Sequence, residues 1–573
     1  MTEHLFLYLV LGVVGIWCLR RVFIRLQLSV AKHPSLRGHA KMSRRFAKLV
    51  PYFSYNKHTF FASDMAPNRV ASQRAKALVE LTNSIEMKYG KTMDYTRSLT
   101  ECISDVRFTN NYRVPFPYRE QLPLALKATP VADESSGTKI KDIDGNWRHD
   151  LFASYGVNVF GYDFYKACMR EGSQLVEKLG PVLGPYHPLI KDNVERLKEI
   201  SGLDEVSFHM SGTEAVMQAV RLARYHTGKT HLVRFCGAYH GWWDGVQPGI
   251  GNQRKTNDVY TLADLSEKTI RVLSTRNDIA CVLINPMQAF HPNSDSPSDA
   301  TLIVSDRQTN FDKAVYTKWL QKIRNICSER GIVLIFDEVF TGFRLSYQGA
   351  QGYFGVKADL VTYGKTLGGG YPIGAVCGLS HLMKRYRDNA PADLSFARGT
   401  FNSHPAVIGA MNVFLKRIAE DDIQCIYRNA ESVWNKRVQS LNTQLEQENL
   451  PLKLSNMHSI ISVLYKKPSR YNWMFQFYLR AEGLEPGWIG TGRFIMSLDY
   501  SDDDFAEVSE KLIAAAHKMD AAGWWWHDGQ TTNKQLKRMF LNDMLSAKFP
   551  KLAGLVGNKA NPEEDINDQA VSL

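Results

Sequence analysis

Beyond about residue 205 the chain alternates short apolar runs with amphipathic segments of helical period. Some of the runs are apolar until a polar residue near their carboxyl end. GIVLIFDEV (Gly331 to Val339) and IACVLINP (Ile279 to Pro286) are of this kind. Near-continuous apolar runs are expected for strands covered on both faces. VSFHM (Val206 to Met210), HLVRF (His231 to Phe235) and ADLVTYGK (Ala358 to Lys365) read as further strands. TEAVMQAVRLARYHTG and about 312–330 read as helices between them. That order predicts an α/β fold: a large domain with a mostly parallel sheet and helices on both faces. From Arg385 the pattern changes to helix, then ISVLYKK and RFIMSLD, then helix, which reads as a smaller α+β unit. Glu134 to Ala153 reads as a hairpin turning at Asp144-Gly145.

The N-terminus has a different character. Leu5 to Leu19 is uninterrupted and apolar, and with snorkelling arginines the span extends to Ile24. The basic residues follow the apolar run, and no small-residue cleavage site does, so a cleaved signal is disfavoured. A transmembrane helix anchoring the chain is expected, with the catalytic body in the cytoplasm by the positive-inside rule. From Arg20 to Phe61 many Lys and Arg residues occur with no Asp or Glu, within a net charge of +12. Such a run suits an anionic surface. Without zinc-finger or RNP-like spacing, lipid headgroups are the expected partner and nucleic acid is not. The eight cysteines are scattered with no Cys-x-x-Cys, which points to reduced thiols and no metal site; Cys236 and Cys377 read as core packing. About 33–135 looks mainly helical, a collar without evident chemistry.

Several residues carry chemistry. Ser211-Gly212-Thr213-Glu214 stands between strand and helix. The free N–H groups of a helix N-terminus, a glycine permitting close approach and the Thr213 hydroxyl would cradle a phosphate; the bland alternative is an N-cap. Asp337 ends the LIFDEV strand, at the edge where open α/β sheets bind ligands. It could pair with a protonated pyridine nitrogen or with an arginine such as Arg344. Lys365 follows an apolar strand and precedes three glycines, so its desolvated amine is suited to Schiff-base chemistry. Tyr239 could stack on a flat ring, His240 reads as structural when taken alone, and Thr400 could donate to a phosphate.

Taken together, HMSGTEAVMQAVRLAR, FCGAYHGWWDG, LIFDEVFTGFR, ADLVTYGKTLGGGYPIGAVCG and RGTFNSHP resemble the class III aminotransferases of the fold-type I pyridoxal-phosphate (PLP) enzymes, and within them glutamate-1-semialdehyde aminomutase. The resemblance covers about Gly137 to Asp520. It implies PLP as cofactor, Lys365 as the Schiff-base lysine that moves the substrate proton, and Asp337 on the pyridinium nitrogen. It further implies Tyr239 and Val339 on the two ring faces, with His240 beside them. Gly212 and Thr213 would hold the phosphate, and Thr400 would reach it from the other subunit of a homodimer.

The pattern departs from the family in places. Phe340 stands where many members have Gln; the aminomutase branch has an apolar residue there, so Phe340 supports that branch. Asn285-Pro286 stands where Glu-Pro is usual, and EPGWIGTGRFIMSLDYSDDD has no clear counterpart of the aminomutase gating glutamate. A transfer between an amine and an aldehyde or ketone is therefore expected ahead of aminomutation, with a non-catalytic scaffold as a further alternative. An anchor suits a lipophilic substrate. Gly241-Trp242-Trp243 and Gly523 to Trp526 could line an apolar entrance, although core or dimer packing is the default for tryptophan. The expected division is anchor 1–30, basic helical extension 31–135, small-domain segment 136–205, large domain 206–385, small domain 386–525 and a helical, then disordered tail 526–573.

Overall fold

The computed structural model describes residues 2–34, 36–247, 249–254, 256–291, 293, 309, 311–487 and 492–550. The polar tail beyond Pro550 and residues 488–491, within the stretch that shows no counterpart of the aminomutase gating glutamate, lie outside them.

Three short strands open the catalytic body: β1 (Ala132–Ser136), β2 (Lys139–Asp142) and β3 (Trp147–Asp150). β2 and β3 form the expected hairpin, β1 adds to it antiparallel, and β3 pairs in parallel with Leu484–Glu485 near the other end of the chain.

The large sheet contains β4 (Glu205–His209), β5 (His231–Phe235), β6 (Val259–Leu262), β7 (Ile279–Ile284), β8 (Val333–Asp337), β9 (Leu360–Gly364) and β10 (Gly374–Gly378). Its order is β4-β10-β9-β8-β7-β5-β6. From β9 to β6 all neighbours are parallel, and β10 alone runs against both its neighbours. Every residue of β7, β8, β9 and β10 is buried, as strands covered on both faces require. The Gly212–Thr227 and Lys313–Arg330 helices are amphipathic, capped by Ser211 and Asp312 and closed by left-handed Gly228 and Gly331. Helices Pro405–Arg417 and Asp421–Gln447 lead into the smaller unit, where Leu452–Met457, Ile460–Tyr465 and Arg493–Ile495 form an antiparallel sheet.

The 30-residue helix Thr2–Ala31 is, among the described residues, the one long and apolar enough to cross a membrane. Its far end rests on the catalytic body: Ala31 is buried and its carbonyl accepts from Ala263 N at 3.1 Å. The extension that follows is helical over Lys57–Ala62, Asn68–Lys88, Gly90–Cys102 and Ser104–Tyr112. It docks through an aromatic cluster in which Phe60 and Tyr118 meet Trp473, and Phe61 meets Trp524. Inside this cluster Arg74 is fully buried and makes a two-pronged bond to Asp64 (2.9 and 2.7 Å) while donating to the Gly523 carbonyl at 2.8 Å. Trp524 and Trp525 are core residues with satisfied indole N–H groups, donating to Tyr478 and Asn472. They do not line an entrance. Trp242, by contrast, is exposed.

Candidate active site

The parallel strands end along one edge of the sheet, and the sequence-nominated residues other than Thr400 gather there. Asp337, last in β8, is 3% exposed. Its Oδ2 accepts from His240 Nδ1 at 2.7 Å, and its Oδ1 accepts from Thr362 Oγ1 and Val339 N, each at 3.2 Å. A buried carboxylate without partners would cost several kcal/mol, roughly 3–5 when a pair is broken, so this set of donors is what allows the charge to sit there. Arg344 is not part of it: its guanidinium donates to Ser459, Met496 and Gly156. A carboxylate offers about four lone-pair sites. Three are used, which leaves one on Oδ2 for a further donor.

His240 sits behind the carboxylate, fully enclosed, with Nε2 unpartnered among the described residues. Burial keeps its pKa below the usual value, despite the opposing pull of Asp337. Its position is that of a residue orienting Asp337 rather than one on a ligand face. Thr362 escaped the sequence reading. The signal was present: a lone polar residue inside an apolar strand, two residues before Gly364.

Lys365 follows β9 directly. Its backbone has φ +48°, in the left-handed region that non-glycine residues seldom occupy. Such a residue stores about 1–3 kcal/mol of strain, which the surroundings must hold. The holding contacts are next to it. Thr366 is buried and its hydroxyl bonds that of Tyr165, which in turn accepts from Val159 N at 3.0 Å. Burial lowers the Lys365 pKa, Asp337 opposes that and Arg344 adds to it. Asp337 therefore lies within electrostatic reach of the amine.

The Gly212–Thr227 helix points its N-terminus at the same place. Ser211 is its N-cap, accepting from Glu214 N at 3.3 Å, so the cap reading holds as well. A Cβ on Gly212 would lie 2.6 Å from Val339 Cγ1, and one on Gly241 would lie 2.4 Å from Thr213 Oγ1. Gly212, Thr213, Gly241 and Val339 thus form one close-walled cradle at a helix end. Tyr239 is 57% exposed beside it, its carbonyl accepting from Asn285 Nδ2 at 3.2 Å. Asn285 Oδ1 also caps the following turn through Met287 N. Phe340 packs on Gly156, whose missing Cβ leaves room for the ring. Thr400 lies apart on an exposed loop.

A profile of the aminotransferase class-III family matches residues 125–516. This chain is a class III aminotransferase. The glutamate-1-semialdehyde 2,1-aminomutase of Caldicellulosiruptor bescii is 32% identical over 408 residues, 68% of this chain and 92% of that protein. Among solved structures, a transaminase with PLP bound aligns with TM-score 0.58 at 24% identity, covering 69% of this chain and 92% of its own. A glutamate-1-semialdehyde-aminomutase from Pseudomonas aeruginosa PAO1 in complex with PMP aligns with TM-score 0.61 at 15% identity, covering 78% and 98%. These likenesses are to the fold.

As a class III aminotransferase the protein is an enzyme whose cofactor is PLP and whose substrates are an amine and a carbonyl compound. The residues present fit that cofactor. The cradle has the glycine-lined helix end an anion needs, Asp337 retains an acceptor site, and Lys365, whose amine is desolvated and within the field of Asp337, follows Gly364, which abuts Gly212.

Proposed function

We propose that this enzyme is a membrane-anchored aminotransferase acting on a lipophilic amine or its aldehyde or ketone counterpart, with Lys365 as the catalytic lysine. PLP when bound supplies the electron sink that makes a substrate C–H acidic. The chain's residues do the rest. Lys365 Nζ would hold the cofactor, and its amine would move the proton at the reacting substrate carbon. Asp337, oriented by His240 and Thr362, would hold the pyridine nitrogen and favour its protonated form. Tyr239 and Val339 would flank the ring. Gly212 N–H and the Thr213 hydroxyl would hold the phosphate. Thr400 serves the second site of a homodimer, a reading supported by exposed Leu394, Phe396 and Phe401 on the same segment.

The observation that carries the reading is the convergence of Lys365, Asp337 and the Gly212 cradle at one sheet edge. Two observations support a lipophilic substrate. The apolar N-terminal helix is exposed along Phe6–Leu19, and the Asn285 amide is spent on local bonds rather than facing a substrate charge. The test is turnover of long-chain amines in vesicles by the full chain and by a chain lacking residues 1–24. A drop confined to lipophilic substrates is expected. Equal loss or equal retention for soluble and lipophilic amines would refute the substrate class.

Aminomutation is the second reading, favoured by the name of the Caldicellulosiruptor bescii relative and by Phe340. Following a labelled amine nitrogen separates them. Product that is an isomer of the substrate, formed without a second carbonyl compound, means aminomutation, and label passed to a chemically different acceptor means transfer.

A further inference from the structure

Where the N-terminal helix meets the catalytic body, the chain frames an open groove of about 1820 Å³ lined by none of the active-site residues. One wall is the last turns of the Thr2–Ala31 helix. A second is the short Ala40–Ala47 helix. The third is the edge strand β6 with the Thr275–Asp278 turn. Arg25, Lys32, Lys41, Arg44, Arg45 and Lys48 all line it. Among the described residues none of these cations has an ion-pair partner. The one carboxylate on the wall, Asp278, is already taken by Arg276 Nη2 (2.6 Å) and the Tyr260 hydroxyl (2.7 Å). Arg44 is aimed by two backbone carbonyls, Asn252 and Arg254, each at 3.0 Å, which leaves the rest of its fork free to bind. Lys32 is depressed below the usual lysine range by burial and by the neighbouring Arg25. Holding like charges together in this way costs stability unless an anion joins them.

We propose that this groove binds phosphate-bearing headgroups of anionic lipids. The reading rests on the membrane placement proposed above and not on the reaction. Three features select a bilayer as the source of the phosphate. The groove opens at the level where the apolar run ends and Arg20 and Arg21 begin. Trp17, stacked by Arg21 at 4.2 Å, stands at that level as interfacial tryptophans do. Met42, Phe46 and Leu49 are exposed on and just after the Ala40–Ala47 helix, interleaved with its cations. That is the pattern of a helix lying in a headgroup layer. A nucleic acid would account for the cations and leave these apolar side chains in water. Each Lys or Arg near an anionic surface contributes about 1 kcal/mol, roughly fivefold in binding, so the cluster discriminates strongly by charge.

The test uses the full-length holoenzyme and the triple variant Lys41→Gln/Arg44→Gln/Arg45→Gln. Both are floated with phosphatidylcholine vesicles and with vesicles containing phosphatidylglycerol. The lipid retained after transfer to neutral detergent is then quantified. The native chain is expected to favour the anionic vesicles and to retain phosphatidylglycerol. The variant should lose roughly 100-fold of that preference, fivefold for each of three cations, with the cofactor's visible absorbance unchanged as the check on folding. Inorganic phosphate and a duplex oligonucleotide at equal phosphate should fail to displace the lipid. Binding to anionic vesicles alone would support the groove and remove the spanning helix. Equal flotation with both vesicle types, an unchanged variant, or displacement by either competitor would overturn the proposal, and equal flotation would leave the anchor standing.

Discussion

At the scale of single residues the site is a set of buried polar groups that tolerate burial only through one another. Replacing His240 with Phe removes the shortest bond to Asp337. The expected loss is about 1.5–3 kcal/mol, the range for bonds to charged groups, read as a lower Tm of the apoprotein and weaker PLP retention. Gly212→Ala places a methyl within 2.6 Å of Val339 Cγ1. Overpacking of this kind costs about 1–3 kcal/mol. Because the clash is present without ligand, the change should lower the Tm of the apoprotein, and the displaced helix end should also weaken PLP titration. Lys365 sets a pH dependence. Its pKa is lowered in the fold, so the unfolded chain binds more protons between that depressed value and 10.5. The group's contribution therefore makes the apoprotein more stable as pH rises through that window, and the advantage is absent below it. Lys365→Met should flatten that part of the stability–pH curve. A curve unaltered by the substitution would mean the lysine is not desolvated.

At the scale of elements, what was legible in the sequence followed from pattern, and what was not followed from contacts between distant segments. HLVRF occupies β5 residue for residue, and the apolar runs at Ile279 and Val333 are strands because a parallel sheet leaves no polar face to disguise them. β10 was not legible. GAVCG is short, glycine-bounded and next to a glycine-rich turn, so it reads as loop until β4 and β9 pair with it from either side. The cradle and the Asp337 strand end were visible as motifs. The role of His240 was not, because its partner lies 97 residues away. The tryptophans at 524 and 525 offered no local signal to choose core over surface; the collar that buries them begins more than four hundred residues earlier in sequence. That collar yields its own prediction. Arg74→Ala leaves Asp64 buried without its two-pronged partner. The cost is expected to be about 3–5 kcal/mol, measured by denaturant unfolding, with proteolysis opening the collar before the catalytic body.

At the scale of the whole molecule, a class III catalytic body is joined to an apolar helix whose last turns rest on that body. The Ala31 carbonyl and Ala263 amide tie the two together, so the body is held against whatever surface the helix enters. A chain without residues 1–24 should keep its cofactor spectrum and leave the membrane fraction; retention of membrane binding would assign the attachment to the cationic groove alone. The chemistry nevertheless rests on one amine. The measurement that reaches it most directly is borohydride reduction of the holoprotein, followed by digestion and mass mapping of the fixed pyridoxyl group. The expected result is a single modified peptide containing Lys365, absent from Lys365→Ala prepared in the same way. A pyridoxyl group on another lysine, or none on protein saturated with PLP, would contradict the account.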